Sequence, residues 1–325
     1  MEINVPHARR ARILPAELGI GIAFIVECAA FAFLSPHFLT AENLLNVSLQ
    51  SSITAVIAAG MTLVILTGGI DLSVGSIVAL GGILATDLLR LPLPLLAAFA
   101  AAILGGLLFG AASGAVAGFC IHRFRIAPFI VTLALMTIWR GAAFVYTGGR
   151  PIWELPGEFA LLGAGRFMRV PFPAIVMGVV YVTIHVVLTR TRFGRHVYAI
   201  GGNPEAARLA GIRIGRVLLW VYVICGALSS LSGILLASRM NSGQPNAGLM
   251  YELDVIAAVV VGGTSLSGGR GSIVGTFIGA MLIAVLRNGL NLLNVGSYFQ
   301  QFIVGIVILL AALFDQSRIR QFRLS

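Results

Sequence analysis

The feature that leaves this chain the fewest folds is a series of apolar runs, most of them about as long as a bilayer is thick. They lie near 16–35, 49–67, 72–90, 93–120, 126–147, 171–189, 217–237, 252–267, 272–292 and 298–315. A helix needs about twenty such residues to cross the hydrocarbon, whereas a lipid-facing barrel strand alternates polar and apolar residues over about ten positions. The runs do not alternate, and backbone groups in lipid must be paired within their own segment, so they predict helices. With 58% hydrophobic and 10% charged residues, no separate soluble domain is left over. The expectation is an all-α polytopic bundle of about ten transmembrane helices, forming one domain over residues 1–325.

Charge gives this bundle an orientation. The net charge of +10 comes from 22 basic residues, all arginine, which in a soluble chain would suggest nucleic acid. Placement argues otherwise. With the amino terminus inside, fifteen arginines fall in inner segments (Arg9, Arg10, Arg12, Arg123, Arg125, six between 190 and 216, Arg270, Arg318, Arg320 and Arg323). Five fall outside: Arg90, Arg150, Arg166, Arg169 and Arg239. That bias predicts an inner-membrane protein with cytoplasmic tails near 1–15 and 316–325, a cytoplasmic loop at 190–216, and no nucleic-acid partner. The first apolar run lacks a small-residue cleavage site and reads as a retained anchor. Cys28, Cys120 and Cys225 have neither CxxC nor Cys/His spacing, so no metal site is expected.

The 190–216 loop is too polar for hydrocarbon and too regular to be slack. Within it Asn203 can cap a short helix, Pro204 suits its first turn, Glu205 sits at the positive end of the dipole, Ala206 and Ala207 give it a small-residue face, and Gly211 can stop it. A small peg of this kind suits a groove on a cytoplasmic partner; a solvated loop helix is the alternative. Outside, 148–170 with Trp153, Glu154 and Glu158 is the largest expected feature, and 238–251, rich in turn formers, is a second such surface.

An internal repeat joins the two halves. Gly68-Gly69-Ile70-Asp71-Leu72-Ser73 recurs as Gly262-Gly263-Thr264-Ser265-Leu266-Ser267, each copy between two spans and both expected on one side of the membrane. Glycine-rich breaks between apolar segments fit a transport path made of interrupted helices, or else tight turns between helices. Charges at membrane depth are costly and mark function; Glu27, Asp71, Arg140 and Arg287 are the deepest. Asp71 beside Ser73 can bond freed amides or a substrate hydroxyl, or cap the third span. Arg287, Asn288, Asn291 and Asn294 form a polar stripe on the ninth span, suited to uncharged hydroxylated solutes or to a helix–helix contact. Gly106, Gly110, Gly114 and Gly118, and separately Gly271, Gly275 and Gly279, recur every four residues and read as packing seams.

Several motifs point nowhere. Leu266-Ser267-Gly268-Gly269-Arg270 resembles an ATPase signature, yet the chain has no GxxxxGK[ST] and this segment joins two spans, so it reads as a turn. Neither His185 nor His196 has an implied nucleophile or carboxylate, and no chain of acids and histidines suggests proton coupling. An ion-driven carrier is the second hypothesis and an intramembrane enzyme using Asp71 and Glu27 the third.

Three stretches carry a family resemblance: Gly60 through Gly75 (GMTLVILTGGIDLSVG); Arg192-Phe193-Gly194-Arg195 on to Asn203, Gly211 and Ile212; and Tyr251-Glu252-Leu253-Asp254 through Gly262–Leu266 to Asn288–Leu293. With their spacing they cover about 16–316. They resemble the membrane permease of monosaccharide ABC importers, most similar to ribose-type members. The resemblance implies a homodimer, a separate ABC ATPase subunit that binds ATP and Mg, a periplasmic or surface sugar-binding protein, and ribose or another pentose as cargo. It also implies that Glu205-Ala206-Ala207 to Gly211 is the element contacting the ATPase, although the Ile-x-Leu-Pro ending of the wider motif is missing.

Overall fold

The computed structural model describes residues 16–324, so the tail at 1–15 lies outside the described residues. A helix occupies each of the ten apolar intervals: α1 (Ala16–Leu34), α2 (Ala41–Leu66), α3 (Val74–Leu89), α4 (Leu95–Phe124), α5 (Pro128–Thr147), then, after the five-residue α6 (Ala160–Ala164), α7 (Phe172–Arg190). Next come α8 (Arg192–Gly202), α9 (Pro204–Leu209), α10 (Ile214–Met240), α11 (Tyr251–Val261), α12 (Ile273–Leu292) and α13 (Ser297–Leu324). Six of them, α2, α4, α5, α7, α10 and α12, are long and apolar enough to cross a membrane; α3 with 16 residues and α11 with 11 are shorter. The expected carboxy-terminal tail is a continuation of α13.

Local chemistry sets the boundaries. Thr40 caps α2 by accepting from the Asn43 amide at 3.3 Å, and Ser272 caps α12 by accepting from Gly275 at 3.0 Å. Proline occupies the first turn of α5 and α7. The central helix is α10, packed on α4, α3 and α2, while α12 packs on α11, α2 and α1. The α4–α10 seam is close because its glycines interleave: an added Cβ on Gly114 would stand 2.5 Å from the Tyr222 carbonyl carbon. Ser230 seals it with a hydroxyl bond of 2.6 Å to the Gly106 carbonyl.

Two segments that the sequence reading places outside are more built than their composition suggests. The 148–170 segment is a folded cap, with a short hairpin (β1, Arg166–Phe167; β2, Val170–Pro171) and a fully buried Phe159 whose carbonyl accepts from Ser238. The 238–251 segment is free only in part: Asn241, Asn246, Leu249 and Met250 are exposed. Ser242, Gly243, Pro245 and Gly248 are buried, because the Arg140 guanidinium on α5 donates to the carbonyls of Pro245 and Ala247, both at 2.7 Å, and to Gly75 at 3.1 Å. The deep charge at Arg140 therefore pins the segment that leads into α11. Arg140→Ala strands those carbonyls and should cost about 3 kcal/mol; hydrogen exchange is expected to rise selectively across 241–250 while α4 stays protected.

Candidate functional site

The two glycine breaks end their helices in the same way, though one residue out of the register suggested by the repeated Gly-Gly. Gly68 (φ +81) donates to Ile65 at 2.9 Å and Gly69 to Val64 at 3.1 Å; Gly263 (φ +83) donates to Val260 at 2.8 Å and Thr264 to Val259 at 3.1 Å. Gly68 therefore corresponds to Gly263, each the left-handed residue of a Schellman cap. The breaks lie at one end of the bundle and touch: the Gly269 amide donates to the Leu66 carbonyl at 2.9 Å. In this loop Ser265 donates to the Arg270 carbonyl at 2.9 Å and Gly268 to Ser265 at 3.0 Å, which makes the Leu-Ser-Gly-Gly-Arg segment a turn.

The 190–216 loop docks on this junction. Beyond the short helix expected there, it contains a second one, α8, capped by Thr191 and burying Gly194, Val197 and Ile200; their three-residue spacing was the available signal. Tyr198 of α8 donates to the Gly271 carbonyl at 2.9 Å, and Gly201 sits so close to Leu66 and Gly269 that a side chain there has no room. The short helix follows as α9. Asn203 accepts from the Ala206 amide at 3.0 Å, Pro204 opens the first turn, and Gly211 leaves it at φ +82. Ala207 is buried, whereas Glu205 and Arg208, paired at 2.7 Å, and Leu209, 85% exposed, face outward. The peg thus has a free face and a mechanical connection, through α8, to the ends of α2 and α11 and the start of α12.

At the opposite end, the first half of α2, the start of α11 and the second half of α12 enclose a cleft of about 210 Å³. Its polar lining is Gln50, Ser51, Thr54, Tyr251, Asn288 and, from the end of α10, Arg239, together with Arg287 and Asp254, which form an ion pair at 2.5 Å. Asn288 also trades amide bonds with Asn43 of α2, at 2.9 and 3.0 Å. Of the polar stripe, Arg287 and Asn288 reach this cleft. Asn291 is exposed in the last turn of α12, and Asn294 lies past the helix at φ +57, so the stripe stops short of it. The pairing of Asp254 with Arg287 has no local sequence signal, because 33 residues separate the two.

Asp71 and Ser73 line none of the described cavities. Asp71 is fully buried, and one carboxylate oxygen accepts from the Ser73 amide at 2.9 Å and hydroxyl at 2.6 Å. That closes a turn two residues long and leads into α3 without capping its first-turn amides. The other oxygen and the nearby Tyr222 hydroxyl have no hydrogen-bond partner among the described residues.

Interrupted apolar helices, a polar cleft at one end and a short helix with an exposed face at the other suit a membrane transport component. A family model described as branched-chain amino acid transport system / permease component matches residues 43–312, and the chain belongs to that permease family. It is 48% identical over 301 residues to the ribose import permease protein of Escherichia coli strain K12, covering 91% of this chain and 92% of that one. Identity to the ribose import permease protein of Bacillus subtilis strain 168 is also 48%, over 93% of both chains. The L-arabinose ABC transporter permease protein of Azospirillum brasilense is 39% identical over 94% of this chain and 89% of its own. No solved structure matches the chain. It is a permease component, a translocation subunit and not an enzyme.

Proposed function

We propose that this chain is the translocation subunit of an ATP-driven importer for ribose or a related monosaccharide. In this reading it has ten membrane passages, both termini in the cytoplasm of a bacterial inner membrane, and works as two copies. A separate ABC ATPase, which binds ATP and Mg, docks on Asn203–Ala207 and Gly211; a sugar-binding protein delivers cargo outside. The observation that carries it is the pairing of a free-faced α9 with near-half identity to ribose permeases over nine-tenths of the chain. The cleft, built from amides, hydroxyls, an arginine–aspartate pair and Arg239, lies at the end away from α9 and offers neutral hydroxyl groups donors and acceptors together. The family description favours a second cargo, a branched-chain amino acid. Arg239 in the lining offers a carboxylate a partner outside the Arg287–Asp254 pair, so the preference for a sugar rests on the near-half identity to ribose permeases. Asp71 and Ser73 enter the path only if the junction opens during the cycle.

The test is uptake into proteoliposomes holding the permease, its ATPase and its binding protein. Labelled ribose is expected to accumulate only with ATP at the ATPase, and Asp254→Asn, which leaves Arg287 without its counter-ion, should slow uptake about tenfold. Leucine uptake in place of ribose would overturn the cargo. Accumulation driven by a proton or sodium gradient without ATPase would replace the importer by a secondary carrier.

A further inference from the structure

A second cavity, of about 580 Å³, lies between the end of α4, the start of α5, α9 and the first turns of α10. Arg125 and Arg208 give it a cationic lining that also holds the His122 imidazole, and Ile121, Ile126 and Leu218 give it an apolar wall. Glu205 also lines it, but is held by Arg208 in an exposed pair, the weak kind that a stronger anion displaces. The surface beside the cavity is apolar and uncovered: Phe124, Phe129 and Ile130 are 60%, 53% and 58% exposed.

We propose that this cavity holds the phosphate headgroup of an anionic phospholipid, with its acyl chains along Phe124, Phe129 and Ile130. Cations and an adjoining greasy wall are both needed only by a ligand that is charged at one end and oily at the other. Free phosphate would leave the wall unused. A basic recess between membrane helices at the cytoplasmic leaflet is where such lipids concentrate. Because Arg208 belongs to α9 and Arg125 to the α4–α5 turn, a bound headgroup would bridge the peg to the bundle beside it and fix the angle at which α9 meets the ATPase. The proposal rests on the cytoplasmic placing of 190–216.

The experiment is native mass spectrometry of the purified full-length permease titrated with dioleoylphosphatidylglycerol or dioleoylphosphatidylcholine. Phosphatidylglycerol is expected to bind about tenfold more tightly, and Arg125→Ala and Arg208→Ala each to weaken it about fivefold. Arg125→Lys should keep most of the affinity, and Arg150→Ala, at the other end of the bundle, all of it. Equal binding of the two lipids, or wild-type affinity in both alanine variants, overturns the site; so does displacement of the lipid by millimolar inorganic phosphate. Arg208→Ala, at an exposed position, carries the test alone if Arg125→Ala does not fold. External labelling of a thiol introduced by Arg213→Cys would refute the placing of the loop without touching the lipid preference; equal lipid binding would refute the lipid site and leave transport standing.

Discussion

Gly114→Leu is expected to leave almost no monodisperse protein after solubilisation, while Gly141→Leu leaves the yield unchanged. Both glycines sit inside helices, and by intrinsic propensity alone leucine would stabilise either by roughly 0.8 kcal/mol. Packing decides the sign. An added Cβ on Gly114 meets the backbone of α10, 2.5 Å from the Tyr222 carbonyl carbon and 2.9 Å from the Val223 Cα, while one on Gly141 meets nothing within 4 Å. Backbone cannot rotate away as a side chain can, so α4 and α10 must part. Their parting would also loosen Gly106–Ser230 and the Gly110–Gly226 contact. Overpacking of a buried site costs about 3 kcal/mol. Here it falls on the interface where close approach is the main source of helix association in lipid. Gly114→Ala should be intermediate, with a lowered melting temperature by fluorescence-detected size exclusion. Normal elution and melting of Gly114→Leu would mean that the α4–α10 seam does not hold the bundle together.

That seam was readable because it is periodic: four glycines at intervals of four have one interpretation on a helix. The capped peg was equally plain, since Asn203, Pro204 and Gly211 act on neighbours within a few residues. Features made by distant partners were not. Residues 238–251 have the composition of an exposed turn, and nothing near them reveals that Arg140, about a hundred residues earlier, draws their carbonyls inward. Asp71 looked like a path residue or a cap, but its surroundings include Tyr222 of α10, reached through folding alone. The one-residue offset between the two breaks shows the same limit. Gly-Gly recurs in the letters, but the residue at positive φ is the first glycine in one copy and the second in the other.

Leu209→Asp is expected to abolish ATP-driven uptake while the permease itself folds as before. Leu209 is 85% exposed, so this chain gains little from its side chain, whereas the neighbouring Ala207 faces inward and anchors the helix. An exposed leucine beside a charged pair is worth about 1.5–3 kcal/mol to whatever covers it, which is roughly ten- to a hundredfold in affinity for the ATPase. Aspartate forfeits that and adds a carboxylate to be desolvated. Two companions separate the parts of the peg. Glu205→Arg puts like charge beside Arg208 and removes an acid from the helix N-terminus, a loss of about 0.5 kcal/mol within the chain but a reversed charge for the partner. At Gly211 an added Cβ meets nothing within 4 Å, yet Gly211→Trp forces a bulky residue to φ +82 and stands in the partner's way. Leu161→Asp, 63% exposed in the cap at the other end of the bundle, is the control and should co-purify with the ATPase normally. The measurement is ATPase retained per permease on an affinity column, followed by ribose uptake. Full retention and uptake by Leu209→Asp would take the docking role away from α9 and leave α8, locked to Leu66 and Gly269 through Gly201, as the surface on which the motor acts.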